Sequence, residues 1–92
     1  MNELQAKLRD LIIEELELDL DEIGHLGIDD PLFDQEEDVE NYGLDSVDAV
    51  ELAVLVKRHF NIELSEGDSG AFVTIRALAD KIKEKQLINS GN

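Results

Sequence analysis

The chain has 92 residues, the length of one domain that buries about 60% or somewhat more of its unfolded surface. It contains no cysteine, which excludes a disulfide framework, a cysteine-ligated zinc site and thiol catalysis by its own side chains. Its 23 acidic and 8 basic residues give a formal net charge of −15, which argues against a nucleic-acid partner because phosphate backbones are repelled.

The negative charge is concentrated in one half of the chain. From Asp10 to Glu51 there are 17 acidic side chains and no Lys or Arg, whereas Lys57 to Asn92 holds 6 basic and 5 acidic residues. One interpretation of the acidic half is an electrostatic surface for basic partner proteins. The other is a solvated surface that only keeps the protein dispersed.

Aromatic residues are scarce, with three Phe, one Tyr and no Trp, so the core must be aliphatic, which favours helices. The amino terminus "MNELQAKLRD" lacks the apolar stretch of a signal peptide, and no run of apolar residues is long enough for a membrane span. We therefore expect a cytoplasmic protein that does not insert into membranes.

The first helix is predicted over about residues 2–18. Its apolar positions follow the spacing of one helix face and are Leu4, Leu8, Leu11, Ile12 and Leu16.

A long loop is predicted over 19–44, because glycine and proline residues interrupt the periodicity there. The apolar anchors that it offers to a core are Ile23, Ile28, Leu32 and Phe33. One helical turn is expected near Asp21 to Ile23. Connections of this length are uncommon in compact domains and tend to be functional.

The next helix is predicted over about 45–60, starting at Asp45 or Ser46 and ending at Phe60. It carries too many apolar residues for one stripe. One predicted face consists of Ala49, Leu52, Ala53, Val56 and Phe60, and a second consists of Val47, Val50 and Val54. If one face joins the core, the other needs a partner or another helix.

Two further elements complete the chain. Ser65 and Asp68 resemble a weak capping box and predict a short helix over about 65–72. Thr74 is predicted to cap a last helix over about 74–86, whose apolar residues are Ile75, Leu78, Ala79 and Ile82. The tail 87–92 is expected to be frayed.

The segment "YGLDSVDAVELAVLVKRHF" resembles the attachment motif of acyl carrier proteins, G-x-D-S-L-[DS]-x-V-E-L. The upstream "DDPLF" and the downstream "TIRALADKI" also resemble segments of carrier proteins, so the resemblance covers nearly the whole chain. It implies an all-α, acyl carrier protein-like four-helix bundle of one domain, 1–92. It also implies that Ser46 receives 4′-phosphopantetheine from coenzyme A and carries acyl groups in fatty acid, polyketide or related lipid biosynthesis, while the domain itself performs no catalysis.

The position of the serine makes physical sense of that motif. An anion on Ser46 would lie at a helix amino terminus, where free N–H groups and the helix dipole favour negative charge, and Asp45 would be the cap. The resemblance implies that a monomeric carrier docks basic surfaces of a phosphopantetheinyl transferase and of acyl-handling enzymes, through Val47, Asp48, Val50, Glu51 and Val54. Two departures from the motif are Val47 in place of Leu and the ending "KRHF", which predicts docking on the first half of this helix.

Two alternatives remain open at the level of function. The cargo is an amino acid or peptide, as in peptidyl-type carriers, or the chain is an unmodified helical adaptor that only binds proteins. Asp45 favours an acyl carrier over a peptidyl carrier, because peptidyl carriers more often have a non-acidic residue before the serine.

Rival motifs are weaker. "GDSG" at 67–70 resembles the nucleophile segment of serine proteases, but that chemistry needs a positioned histidine and aspartate on a large β-scaffold. Residues Asp19 to Asp30 resemble a calcium loop, yet Ile23 occupies a ligand position and Asp30 replaces the bidentate Glu, so no metal site is predicted. His25 and His59 have no partners at metal-ligand spacing and are expected to serve in the loop and at a helix end.

Overall fold

A computed structural model of the chain describes residues 2–34, 38–64 and 70–90, and the surroundings of side chains up to residue 87. It contains four α-helices and a 3₁₀ turn at 70–72, with the helices α1 at Glu3–Glu15, α2 at Leu20–Ile23, α3 at Ser46–Phe60 and α4 at Ile75–Ser90. Within these residues the extended pairing is confined to two isolated bridges. The predicted all-α fold is confirmed.

Helix α1 begins with a reciprocal cap. The side chain of Asn2 accepts a hydrogen bond from the backbone N–H of Gln5 at 2.8 Å, and the Gln5 side chain accepts one from the N–H of Asn2 at 3.0 Å. The helix ends at Glu15, three residues before the predicted end. Glu17 has a φ of 52°, in the left-handed region that an α-helix cannot continue through.

The long loop is anchored by buried side chains, although it has little regular structure. The helical turn predicted near residues 21–23 is present as α2, with Asp19 as its cap. Ile23 and Leu32 are buried, as predicted. The loop also buries three residues that the sequence did not single out, Leu26, Tyr42 and Leu44. The Tyr42 hydroxyl donates a hydrogen bond to the carbonyl of Gly27 at 2.9 Å, which satisfies its polar end inside the fold.

The same loop is tied to the beginning of α4, so the two segments that flank the serine motif in the sequence lie together in space. The N–H of Leu32 donates to the carbonyl of Val73 at 2.9 Å, and the N–H of Arg76 donates to the carbonyl of Ile28 at 3.0 Å. The Arg76 guanidinium also holds the carboxylate of Asp29 in a two-pronged ion pair, with one contact of 2.9 Å. The hydrogen bond from Arg76 holds the pKa of Asp29 below its usual value of 3.8.

The core lies where α1 packs against α3 and α4. Its largest fully buried side chains are aliphatic, as predicted from the scarcity of aromatic residues: Leu8, Ile12, Leu32, Leu52, Leu55, Val56, Ile75, Leu78 and Ile82. Full burial of such a side chain contributes roughly 1.5–3 kcal/mol relative to exposure. These contacts fix the orientation of α3, which carries the serine motif at its amino terminus.

The carboxyl-terminal part of the chain differs in extent from the prediction. Thr74 caps α4, since its hydroxyl accepts a hydrogen bond from the N–H of Ala77 at 3.0 Å. The helix continues through Ser90, so residues 87–90 are helical where the sequence predicted a frayed tail. Neither Gly nor Pro occurs between Thr74 and Ser90, so no helix breaker ends it earlier. Ser65 and Asp68 lie outside the described residues, and the described part of the predicted 65–72 helix is the 3₁₀ turn.

Candidate functional site

Ser46 is the first residue of α3 and is exposed to solvent. The residue before it, Asp45, is the cap of the helix, as predicted: its carboxylate accepts hydrogen bonds from the N–H groups of Val47 at 3.0 Å and Asp48 at 3.1 Å. The carboxylate of Asp48 returns a contact, accepting a hydrogen bond from the N–H of Asp45 at 3.0 Å. This reciprocal capping box fixes the point at which the chain turns into the helix and therefore fixes the position of the serine.

The cap changes the expected electrostatics at Ser46. The sequence predicted that an anion attached to Ser46 would use free N–H groups, but the N–H groups of Val47 and Asp48 already donate to Asp45. An anion on the serine therefore gains the field of the helix dipole without these two donors. It also lies beside the carboxylates of Asp45 and Asp48, which repel it. The site is suited to an anion that is attached covalently, since binding of a free anion would be opposed.

The segment that leads to the serine is shaped by a glycine. Gly43 has a φ of +75°, a conformation that residues with a Cβ rarely adopt, and its N–H donates to the side chain of Asn41 at 2.7 Å. The next residue, Leu44, is buried, and its backbone pairs with Leu32 at 3.1 Å and with Asp34 at 3.3 Å. The buried Leu44 anchors the chain immediately before it emerges again at Asp45 and the exposed serine.

A groove of about 720 Å³ opens beside Ser46. The long loop, the start of α3 and the segment before α4 form its walls, through Phe33, Asp34, Gly43, Leu44, Asp45, Ser46, Ala49, Phe72 and Val73. Its surface is mainly apolar, and its ionisable or hydroxyl-bearing lining residues are Asp34, Asp45 and Ser46. Such a groove is suited to a flexible organic group that is attached to the serine and lies against apolar side chains.

Sequence reasoning did not assign Phe72 and Val73 to the site. They are far from Ser46 in the chain and reach the groove because the backbone of Leu32 pairs with that of Val73. Their local signal was weak, since Gly67 and Gly70 interrupt any periodicity in the sequence before them. Phe33 was predicted as a core anchor, and the structure places it half-buried, against the core and in the wall of the groove.

The two predicted faces of α3 are clearly different in the structure. Val47, Val50 and Val54 are 65%, 65% and 48% exposed, whereas Leu52 and Val56 are fully buried. The valine face has therefore no partner among the described residues of this chain.

The acidic residues of this face are not equivalent. Glu51 is exposed, but Asp48 is half-buried and its carboxylate is engaged in the capping box. Leu55, which the sequence analysis left out of both faces, is buried in the core.

The histidines lie elsewhere, in the helix-end and loop positions expected of them. His59 is 13 residues after Ser46, about 20 Å along the helix, and its Nε2 is 3.2 Å from a carboxylate oxygen of Glu15. His25 contacts Glu40 in the long loop at 3.1 Å. Among the described residues no group of three His, Asp or Glu side chains is arranged to hold a metal ion. Over the same residues, every helix is too short or too polar to cross a membrane.

The chain forms a small helical bundle in which a long loop, anchored in the core, leads to an exposed serine in the first turn of a helix. The serine lies at the rim of an open groove. This is the architecture of a carrier domain. Comparison with known families gives the same result. The sequence model of the family described as "Phosphopantetheine attachment site" matches residues 6–82, and the chain belongs to this family.

Curated relatives of the chain are acyl carrier proteins. The chain is 25% identical over 87 residues to the acyl carrier protein of Buchnera aphidicola subsp. Acyrthosiphon pisum (strain Tuc7), covering 95% of this chain and 98% of that protein. It is 24% identical over 82 residues to the acyl carrier protein of Bdellovibrio bacteriovorus (strain ATCC 15356 / DSM 50701 / NCIMB 9529 / HD100), covering 89% and 94% of the two chains. No solved structure matches the chain.

Proposed function

We propose that Ser46 is the residue that carries 4′-phosphopantetheine, and that the chain is an acyl carrier protein that delivers acyl groups to partner enzymes. The family and the relatives named above support carriage of acyl groups on phosphopantetheine. The observation that supports Ser46 in this role is its exposure at the first position of α3, within the matched residues and at the rim of the groove.

The residues present fit this cofactor. The chain has no cysteine, and the bound arm supplies the one thiol on which an acyl group is held as a thioester. The serine Oγ is the point of attachment, Asp45 keeps the helix terminus in place, and the apolar wall formed by Phe33, Leu44 and Val73 offers contact to the arm. In this proposal the core residues hold the site in place and take no part in the chemistry.

The exposed valine face is the proposed docking surface for the transferase and for acyl-handling enzymes. Val47, Val50 and Val54 offer apolar contact that the described part of the chain leaves exposed, and Glu51 offers an exposed negative charge within two helical turns of the serine. Asp48 contributes negative potential to this surface, although its carboxylate also serves the cap. The pathway that we propose is fatty acid, polyketide or related lipid biosynthesis.

The first experiment asks whether the chain is modified. The protein is incubated with coenzyme A and a promiscuous phosphopantetheinyl transferase, and its intact mass and thiol content are measured. We expect a gain of one phosphopantetheine and one titratable thiol. Ser46→Ala should abolish both while the helical circular dichroism persists. An unmodified wild type would favour the adaptor alternative, in which the fold serves only to bind proteins.

The second experiment asks whether the acidic part of the surface promotes docking. Glu51→Lys places a cation on the exposed side of α3, where a rim charge mainly changes the association rate and its salt dependence. The initial rate of loading at low salt should fall severalfold, and the wild-type rate should decline as salt is added. Folding should change by less than about 0.5 kcal/mol, since Glu51 is exposed.

Glu84→Lys on α4 is the matched control, because it makes the same charge change at an exposed position on another helix. It should leave the loading rate nearly unchanged. Equal slowing by both variants would mean that net charge, and not a local docking surface, controls the rate.

A further inference from the structure

The exposed face of α3 continues beyond the valines, and its charge changes sign along the helix. Lys57 and Arg58 follow Val54 by three and four residues, which places both on the same side of the helix as Val54. Their side chains are 53% and 61% exposed. We call this surface the α3 strip and define it as Val47, Val50, Glu51, Val54, Lys57 and Arg58.

The strip has one apolar centre and two unlike ends. Its first half lies beside the acidic cap at Asp45 and Asp48 and includes Glu51, whereas its second half ends in two cations. About 17 Å separates Val47 from Arg58 along the helix axis, since each residue advances 1.5 Å. That distance exceeds the screening length of about 8 Å at physiological salt, so a docked surface experiences the two ends as separate charges.

Grooves flank the apolar centre on both sides and extend into the cationic half. One groove, of about 490 Å³, runs past Val50 and Val54 to Lys57 and Leu64. The other, of about 320 Å³, lies between Val50, Val54 and Glu15 and also reaches Arg58. The surface available for docking therefore does not stop at the first half of α3, where the sequence analysis placed it.

The cations at the end of the strip form ion pairs within the chain but remain accessible to a docked protein. Lys57 lies 3.8 Å from Glu63, and Arg58 lies 3.4 Å from Glu15, which also contacts His59. Both cations are more than half exposed, and exposed ion pairs of this kind contribute little to stability because solvent screens them. A carboxylate of a docked protein can replace or share these contacts at little cost.

We propose that the α3 strip docks a partner protein through an amphipathic helix of the partner that has cationic side chains at the end over Glu51 and anionic side chains at the end over Lys57 and Arg58. This inference rests on the proposed function only in taking the valine face as a docking surface. It goes further in requiring a partner with two charged ends and in fixing the orientation of that partner relative to Ser46.

A second copy of this chain is the other occupant that the strip would fit, since an antiparallel pair of α3 helices would place unlike ends together. Two chains that each carry a net charge of −15 repel each other. The charges therefore favour a different protein as the occupant.

The probes are two synthetic amphipathic helices of about 18 residues that share one leucine stripe. The bipolar peptide has lysines in one half and glutamates in the other, and the all-basic peptide has lysines in both halves. Their dissociation constants for the full chain are measured by nuclear magnetic resonance at physiological salt. The methyl signals of Val47, Val50 and Val54 report whether the strip is the site of binding.

The decisive variant is Lys57→Glu with Arg58→Glu, and the matched control is Lys83→Glu with Lys85→Glu on α4, which makes the same change in net charge. The ratio of affinities, bipolar to all-basic, should fall about tenfold in the strip variant and stay within about twofold in the control. Tenfold corresponds to about 1.4 kcal/mol, the change expected when two rim charges switch from attraction to repulsion.

Several results would overturn the proposal. The ratio could stay constant in the strip variant, it could fall equally in the control, or the valine methyl signals could fail to respond. Sedimentation that shows a dimer abolished by the strip variant would assign the strip to a second copy. Loading of Ser46 is measured on the same variants, so that failure of the proposed function is seen separately from failure of the strip.

Discussion

Two neighbouring positions on α3 test how the helix divides between core and docking surface. Leu52 is fully buried, and Val50 is 65% exposed, although only one residue separates them. Leu52→Ala removes a buried side chain and leaves a cavity, which costs about 2–5 kcal/mol. Domains of this size have total stabilities of about 5–15 kcal/mol, so the loss is a large fraction of the whole.

Val50→Ala should behave differently. Its side chain loses little burial, and alanine has a higher intrinsic helix propensity than valine, so the change should stay within about 0.5 kcal/mol of either sign. Urea and thermal unfolding followed by far-UV circular dichroism measure both variants. The midpoint temperature should fall by roughly 10 °C or more for Leu52→Ala, because each kcal/mol shifts it by about 4–8 °C in a small domain. Similar losses at the two positions would show that the faces are assigned wrongly.

Three further predictions concern the cap, an ion pair and the acidic half. Asp45→Ala should lower the free energy of unfolding in urea by about 1 kcal/mol, because two N–H groups of α3 lose their acceptor, and an unchanged value would mean that solvent replaces the cap. Arg76 depresses the pKa of Asp29 below 3.8, so the ion pair stabilises the fold above that pH, and this contribution is lost as the pH falls through the lowered pKa. Asp29→Asn should therefore flatten the acid part of the curve of unfolding free energy against pH. Identical curves for the two proteins would refute the role of the pair. Added salt or millimolar magnesium should raise the melting temperature, since the 17 acidic residues of 10–51 repel one another, and a flat response would mean that they are already well separated or paired.

The spacing of apolar residues in the sequence predicted most of the buried and exposed positions on the helices. Four buried residues of α4, Ile75, Leu78, Ala79 and Ile82, were identified from their spacing alone. The exposed valines of α3 were separated from its core face by the same argument. These predictions succeed because a helix imposes one repeat on every residue, and burial then follows from position on that repeat.

The loop could not be predicted to the same degree, because it imposes no such repeat. Leu26, Tyr42 and Leu44 are buried through contacts that depend on where the chain turns, and no local pattern marks them. The groove likewise depends on a tertiary pairing of Leu32 with Val73. The sequence therefore predicted that Ser46 lies at the start of a helix, but not most of the groove wall beside it.

The capping box is a different case, because its signal was present. Asp45 and Asp48 stand three residues apart at the start of an apolar helix, which is the spacing of a reciprocal cap. From the sequence, Asp48 was predicted to serve docking alone; in the structure its carboxylate closes the cap. A charge reversal at this residue would disturb the cap as well as any docking contact, so Glu51 is the better probe of the proposed docking surface.

Whether Ser46 carries the phosphopantetheine is best determined by locating the modification with fragment mass spectrometry. The chain has four serines, Ser46, Ser65, Ser69 and Ser90, so the wild-type protein offers its own alternatives. After loading with coenzyme A, digestion and fragmentation should place the added mass on Ser46 in all of the modified protein. Mass on Ser65, Ser69 or Ser90, or retention of the modification in Ser46→Ala, would contradict the assignment.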